Sequence, residues 1–405
     1  MNNLRYLFLI LCIFFFSCGD SKTKSENVLL FKHSFTSPNQ QKVLNKLIKE
    51  FEKKYDCKIL NQVYDNKSTP EKFFYIVDSD KVPDVIELFS DNVLYYTSQG
   101  MLAELNIDSL SLPKYKTDDI LSATFKNKIF AIPWYSDSRV LYYNKNLLKR
   151  AGLGDKPPKT MSGLLNFSDK INTIESVYGF GGIADDPQNL IPELFIFLST
   201  FNAKQSASSS TFTFNNKDNV SGFYFYMNLL RTGIMETQRQ VNSYFTEGKL
   251  GFCIADDKLL DKILKENPGL DFGITLIPGL SNEYGITYRN TSFLGINTKC
   301  RNKELAYEFI KFLSEVSNSI DICKELGEGH IPANKDFEKE KDFINNDNRQ
   351  IWFSQLNHSF TLPPNTGWNK LLPFMHKSFL KVIYGTIAPE AALNEAKTEY
   401  IKYLK

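Results

Sequence analysis

Along the chain, apolar residues alternate between two spacings. Gln41 to Tyr55 places Val43, Leu44, Leu47, Ile48 and Phe51 at the 3.6-residue period of an amphipathic helix. Short continuous apolar runs flank it: Val28 to Phe31, Lys58 to Val63, and Val82 to Phe89 behind Pro83-Asp84. These read as strands, and Asn92 to Gly100 as a helix closed by its glycine. Strand and helix taken in turn predict parallel βαβ units and a doubly wound sheet. The same grammar returns after residue 140. Helices are expected over Asn144–Ala151, Met161–Ile171 behind a Thr160 cap, Ile191–Thr200, Gly222–Leu230 and Asn302–Ser314. Strands are expected over Gly251–Ile254, Phe272–Ile277 and Thr291–Thr298. No period of 20 to 50 residues repeats, which excludes a solenoid.

The N-terminus departs from this pattern. Arg5 precedes an apolar run from Tyr6 to Phe16 that is too short for a membrane helix and reads as the core of a secretory signal. Phe15-Phe16-Ser17-Cys18 resembles a bacterial lipobox, with Phe15 where Leu is usual. Leu11 is too large to precede cleavage at Cys12. The expectation is a signal peptide over 1–17, lipid attachment at Cys18, and a polar tether over 18–27. Two or more acyl chains on Cys18 give stable membrane anchoring.

Length and charge then narrow the function. A chain of 405 residues suits two domains rather than one core. A net charge of +2 supplies no basic field, so no nucleic acid partner is expected. Four cysteines, Cys57, Cys253, Cys300 and Cys323, remain beyond the signal and anchor. They carry no CxxC or Cys/His spacing, so neither metal nor cofactor is expected, and they are open to a disulfide or to buried free thiols. The four histidines form no HExxH, and no GxSxG elbow exists for a serine nucleophile. Gly179 to Ala184 formally fits GxGxxA, but the acids Asp185-Asp186 that follow would repel a pyrophosphate, so the segment reads as a turn. Residue inventory alone does not exclude a glycosidase, since carboxylates are plentiful.

Six stretches in order carry a resemblance. They are FEKKYDCKI (51–59), PDVIELFSDNVLYYTSQGMLAEL (83–105), KIFAIPWYSDSRVLYYNKNLLKRAGL (128–153), YFTEGKLGFCI (244–254), FLGINTKCRNKELAYEFIKFL (293–313) and APEAALNEA (388–396). Together they resemble the bacterial extracellular solute-binding family that includes the maltose/maltodextrin-binding proteins, over nearly all of the chain from Val28 to Leu404. The resemblance implies an α/β chain with the class II periplasmic-binding-protein fold: two doubly wound lobes joined by hinge strands, with a ligand cleft between them. Carried over, lobe 1 is 27–136 plus 289–337 and lobe 2 is 137–288 plus 338–405. It implies no enzyme activity. The expected partners are a small-molecule solute, the permease subunits of an ABC transporter, and the membrane through the lipid anchor. A monomer held outside the cytoplasm is expected.

The resemblance also implies site residues. Aligned without a gap over Pro83 to Gly100, a sugar-contacting Asp falls on Asp91 and a neighbouring sugar-binding Arg falls on Asn92. A carboxylate accepts two hydrogen bonds and suits vicinal hydroxyls, but Asp91 could equally cap a helix. Asp137 matches a sugar-binding acid at the first hinge crossing, with Trp134 and Tyr135 leading into the cleft. The Trp134 ring either stacks on a pyranose or packs the lobe. Asp186, with Asp185 in reserve, matches an acid-bearing loop of lobe 2. Ser34, Thr36 and Ser37 follow the first strand, and Trp368 sits where an aromatic is common, or packs a helix start. Asp256, beside Asp257 and Lys258, stands where the family often offers a stacking Trp. That replacement widens the expected solutes from a sugar or sugar derivative to a cationic or other non-sugar solute, such as a polyamine, metal chelate or glycerol phosphate. An adhesion or structural role for the lipoprotein is the remaining alternative.

Overall fold

The computed structural model describes residues 27–64, 82–106, 112–184, 186–202, 213–281 and 283–404. The expected signal, lipidated Cys18 and Asp185 lie outside the described residues.

Two mixed sheets organise the molecule. The first has six strands in the order Ile331–Pro332, Ala131–Asp137, Asn290–Ile296, Val85–Phe89, Val28–His33, Lys58–Val63. Its first three chain segments pair in parallel, as the strand–helix–strand pattern predicts. Asn290–Ile296 then inserts antiparallel between Val85–Phe89 and Ala131–Asp137. The second sheet has five strands in the order Phe272–Thr275, Val140–Asn144, Leu250–Ala255, Tyr178–Ile183, Ile234–Glu236. Parallel units are thus joined by antiparallel strands in both halves.

Local chemistry sets the elements. Helix Pro38–Tyr55 starts at Ser37, whose hydroxyl accepts from Gln40 N while the Gln40 side chain accepts from Ser37 N. It stops at Asp56, whose φ of 46° leaves the helical region. Its apolar stripe, Leu44, Leu47, Ile48 and Phe51, is buried against the first sheet. Each such side chain contributes about 1.5–3 kcal/mol. Phe51 meets Phe309 and Phe312 on helix Lys303–Leu313, so two distant helices share one core.

The glycine-rich segment overturns the turn reading. Tyr178–Ile183 is a strand of the second sheet, buried from Gly179 onward. A Cβ on Gly179 would lie 2.0 Å from Ser168 O, and one on Gly182 would lie 2.1 Å from a Leu230 methyl. The glycines are there because helices press directly on the strand. Helix Pro187–Phe201 follows it, capped by Asp186.

The halves have separate cores. One large cluster runs from Val140 to Tyr400 around the second sheet, and another surrounds the first sheet from Leu29 to Leu356. Three chain passages join them. The first is Ser138-Arg139, between Ala131–Asp137 and Val140–Asn144. The second runs from Thr287–Tyr288 into Asn290–Ile296, and the third lies in Asp347–Leu356 and Ser359–Phe360. Thr287–Tyr288 and Ser359–Phe360 pair side by side, so the second and third passages form a two-stranded ribbon. Among the described residues, Cys57, Cys253, Cys300 and Cys323 are free thiols, the last three buried.

Candidate functional site

The carboxyl ends of several strands converge on the passages. Asp91 lies two residues beyond strand Val85–Phe89, and Asp137 is the last residue of Ala131–Asp137. Tyr288 and Asn290 flank Arg289 on the second passage. Tyr288 is buried; burial, Asp91 and Asp137 all push its phenol pKa up, so one ring feels both acids. Asn290 Nδ2 donates to Asp137 Oδ2 at 3.2 Å. The Asp91 carboxyl is pushed up to about 6 by burial, and its Oδ1 is shielded from solvent with no hydrogen-bond partner among the described residues. Such an acceptor is ready for a donor, because leaving it unmet costs about 1–3 kcal/mol.

The second half supplies the opposite wall. Strand Leu250–Ala255 ends beside Asp256, Asp257 and Lys258. Burial raises the Asp137 carboxyl, while His330 and Lys258 pull it down and Asp256 and Asp257 push it up. Asp137 is thus where charges from both halves meet. Lys258 Nζ stands 3.7 Å from Asp256 Oδ2, and its side chain remains 78% exposed. Asp256 is the leading cause holding the Lys258 ammonium above its ordinary value. On the first passage Arg139 donates to Asn189 Oδ1 at 2.8 Å, and Asn189 donates to Asp186 Oδ2 at 2.7 Å. The surface so formed alternates acid, base, amide and phenol. It can accept and donate hydrogen bonds over a short distance, as a polyhydroxylated ligand requires.

Comparison with known proteins decides the family. Residues 46–350 match the bacterial extracellular solute-binding proteins. The chain belongs to this family. Among curated relatives of this solute-binding protein, the galactooligosaccharide-binding protein of Bacillus subtilis is 25% identical over 78% of this chain and 75% of its own length. A maltooligosaccharide ABC transporter solute-binding lipoprotein of Streptococcus pneumoniae is 22% identical over 94% of this chain and 89% of its own. Among solved structures, the cyclic α-maltosyl-1,6-maltose binding protein of Arthrobacter globiformis superposes with a TM-score of 0.78. It is 17% identical and covers 92% of this chain and 97% of that one. The fold is the two-lobed one of periplasmic solute-binding proteins.

Within that fold the sequence-expected residues divide. Asp91, Asp137 and Asp256 stand in the constellation above. Trp134 does not: it is 1% exposed, stacks on Phe35, and donates its indole N–H to Leu313 O at 3.0 Å. A ring whose faces and N–H are all engaged inside a lobe has nothing left for a ligand. Tyr135 is corrected likewise, since its hydroxyl donates to the buried Glu87. Trp368 is 1% exposed, packs near Tyr400, and donates to Pro363 O at 2.8 Å. It is a core residue of the second half.

Capping accounts for others. Both carboxylate oxygens of Asp186 are used at its helix start, accepting from Gln188 N and from Asn189 Nδ2. Asn92 folds its side-chain oxygen back to accept from Phe89 N at 3.0 Å. Ser34 is half-buried and donates its backbone N–H to Glu87 Oε2 at 2.7 Å, while Thr36 is exposed. Ser37 caps the helix that follows.

Arg139, Tyr288, Asn290 and His330 escaped the sequence reading. Arg139 and Asn290 are ordinary polar residues in sequence, and only the crossing of the passages gives them a common neighbour. A signal did exist for Tyr288-Arg289-Asn290: a charged residue between two polar ones just before an apolar strand.

Proposed function

We propose that this solute-binding protein captures a sugar or sugar derivative between its lobes, outside the cytoplasm, and delivers it to an ABC importer. The observation that carries the reading is the pair of acids at the carboxyl ends of strands beside the inter-lobe passages, Asp91 with its Oδ1 shielded and without a partner among the described residues, and Asp137 with Asn290 donating to it at 3.2 Å. Vicinal hydroxyls donate to such carboxylates, and Lys258 and Arg139 supply donors for ring and hydroxyl oxygens. The named ligands of the galactooligosaccharide and maltooligosaccharide relatives support the same class. Lobe 1 comprises 27–136 plus 289–346 and lobe 2 comprises 137–288 plus 361–405, with the third passage at 347–360; Phe343 packs in the first-sheet core, which moves the return from the 337/338 boundary expected from sequence. The chain acts as a monomer without catalysis, tethered through lipidated Cys18.

Closure follows from differential contact. A solute shifts the open–closed balance only by what it gains in the closed state. Moving a population from 1:99 to 99:1 takes about 5.5 kcal/mol. Two to four hydrogen bonds to charged groups, at about 1.5–3 kcal/mol each, are sufficient.

The test is thermal-shift titration against maltotetraose, galactooligosaccharides, monosaccharides, putrescine and glycerol phosphate. Saturable stabilisation by a saccharide is expected. Stabilisation by putrescine or glycerol phosphate with none by any saccharide would replace the sugar reading with another solute class. For the anchor, Cys18→Ala should move the protein from the membrane fraction to the soluble one; an unchanged distribution would sink the lipidation.

A further inference from the structure

The second passage has a front and a back. Side chains alternate along an extended chain, so Tyr288 and Asn290 point one way and Arg289 the other. Asn290 donates to Asp137 at the cleft, and the buried Tyr288 ring on the same side packs against Phe360 with Asp91 and Asp137 among the charges that act on it. Arg289 turns behind the passage and is 2% exposed.

Behind the passage Arg289 is held from three sides. Its Nε donates to Asp119 Oδ1 at 3.1 Å, on the helix Thr117–Ser122 of the first half. Its Nη1 donates to Ser359 Oγ at 2.7 Å, on the third passage. Its backbone N–H donates to Phe360 O at 2.7 Å. The remaining Nη2 lies 3.7 Å from Asp118 Oδ2. Asp119 Oδ1 also accepts from Thr291 Oγ1 at 2.9 Å, and the Thr291 and Ser136 hydroxyls share a hydrogen bond of 2.9 Å. Ser136 lies in strand Ala131–Asp137, two residues before the first passage. One buried polar chain, Ser136–Thr291–Asp119–Arg289–Ser359, therefore ties the second and third passages, and the strand that leads into the first, to one helix. Lys116 braces it by donating to Leu356 O at 2.6 Å.

We propose that Arg289 is a positioning residue for solute capture: clamped from behind, it fixes the direction in which Tyr288 and Asn290 meet the ligand and limits the angle between the lobes. The inference rests on the reading of the inter-lobe cleft as the solute site. Two features favour positioning over simple stability. A buried ion pair contributes little net stability compared with well-packed apolar residues of similar volume, so its worth lies in the geometry it enforces. The guanidinium also spends two donors on two different chain segments in a fixed fork, which a flexible ammonium cannot reproduce.

The experiment uses the full chain with Cys12→Ser, Cys18→Ser and Cys57→Ser, leaving the three buried thiols Cys253, Cys300 and Cys323, which take no label, and spin labels at exposed Lys49→Cys and Lys265→Cys, one on a helix of each half. Inter-label distances are measured without solute and with maltotetraose. Paired Arg289→Met and Asp119→Leu removes both charges together. It is expected to keep a melting temperature near the parent's, while the solute-free distance distribution at least doubles in width. Arg289→Lys and Ser359→Ala, each sparing the Asp119 carboxylate, should give intermediate widths and decide the matter if the paired variant does not fold. Where the parent binds maltotetraose, the paired variant should bind it at least tenfold more weakly. A parent whose distances ignore maltotetraose, and whose melting temperature no saccharide of the thermal-shift panel raises, refutes the sugar reading but leaves the solute-free comparison intact. Widths unchanged from the parent in all three variants overturn the role of Arg289.

Discussion

Asp257 Oδ2 stands 2.9 Å from His330 Nδ1, joining the wall of the second half to the edge of the first sheet. The same oxygen accepts from Gly329 N at 2.8 Å. Gly327 and Gly329 keep the approach open, since a Cβ on either would lie 2.3 or 3.1 Å from the Asp257 carboxylate. Burial by itself would lower the His330 imidazole, but Asp257, then Asp137, raise it above its ordinary value against Lys258. Burial would raise Asp257, yet His330 and Gly329 N–H hold it below the ordinary carboxylate range.

The pH dependence of this contact follows from those directions. His330 with a raised folded value stabilises fully below about pH 6.5 and loses that contribution as pH climbs through its folded value. Asp257 with a lowered folded value stabilises fully above about pH 4 and loses that contribution as pH falls through its folded value. His330→Gln should therefore lower the melting temperature most between about pH 4 and 6.5, with the gap narrowing above it. Melting curves of both proteins from pH 4 to 9 check this. A gap that stays constant with pH would remove the charged pair from the account.

Asp91 should trade stability for binding. Its carboxyl is raised to about 6 by burial, so it is ionised at neutral pH at a cost in stability to the empty protein. Asp91→Asn is expected to raise the solute-free melting temperature by about 2 °C and to weaken saccharide binding about 10- to 100-fold, the value of one hydrogen bond to a charged group. Native affinity should also fall as pH drops through about 6, because the protonated acid loses an acceptor. Solute-free melting curves read the first effect, and calorimetric titration of both proteins at pH 5 and 7.5 reads the other two.

The tryptophans make the opposite prediction. Trp134→Ala and Trp368→Ala should each cost about 3–5 kcal/mol in denaturant unfolding, while the protein that remains folded binds with near-native affinity. A large affinity loss at unchanged stability would return either ring to the cleft.

Gly233 tests the close packing of the second sheet. A Cβ there would lie 1.8 Å from Phe180 O, a backbone atom that cannot step aside. Gly233→Ala is expected to abolish soluble, cooperatively melting protein; a variant that folds with an unchanged melting temperature would contradict the packing.

What the sequence determined by itself was the elements and their order. The 3.6-residue stripe of Leu44, Leu47, Ile48 and Phe51, the apolar run of Val85–Phe89 and the six family-like stretches sufficed for two lobes of α/β type. Among the described residues Tyr178–Ile183 was misread because glycine ambiguously signals a turn or a tightly pressed strand, and only the neighbouring Ser168 and Leu230 distinguish them. Tertiary structure alone decided which polar and aromatic residues face the cleft. Periodicity says that a side chain is covered, but not whether a lobe core, a helix cap or the other lobe covers it. Trp134 and Asp137 lie three residues apart on one strand, yet the first is spent on Leu313 and Phe35 while the second meets groups from both halves. That difference arises where Arg139, Tyr288, Asn290 and His330, up to about 190 residues apart in the chain, are brought together by three crossing passages, and no local pattern encodes such a meeting.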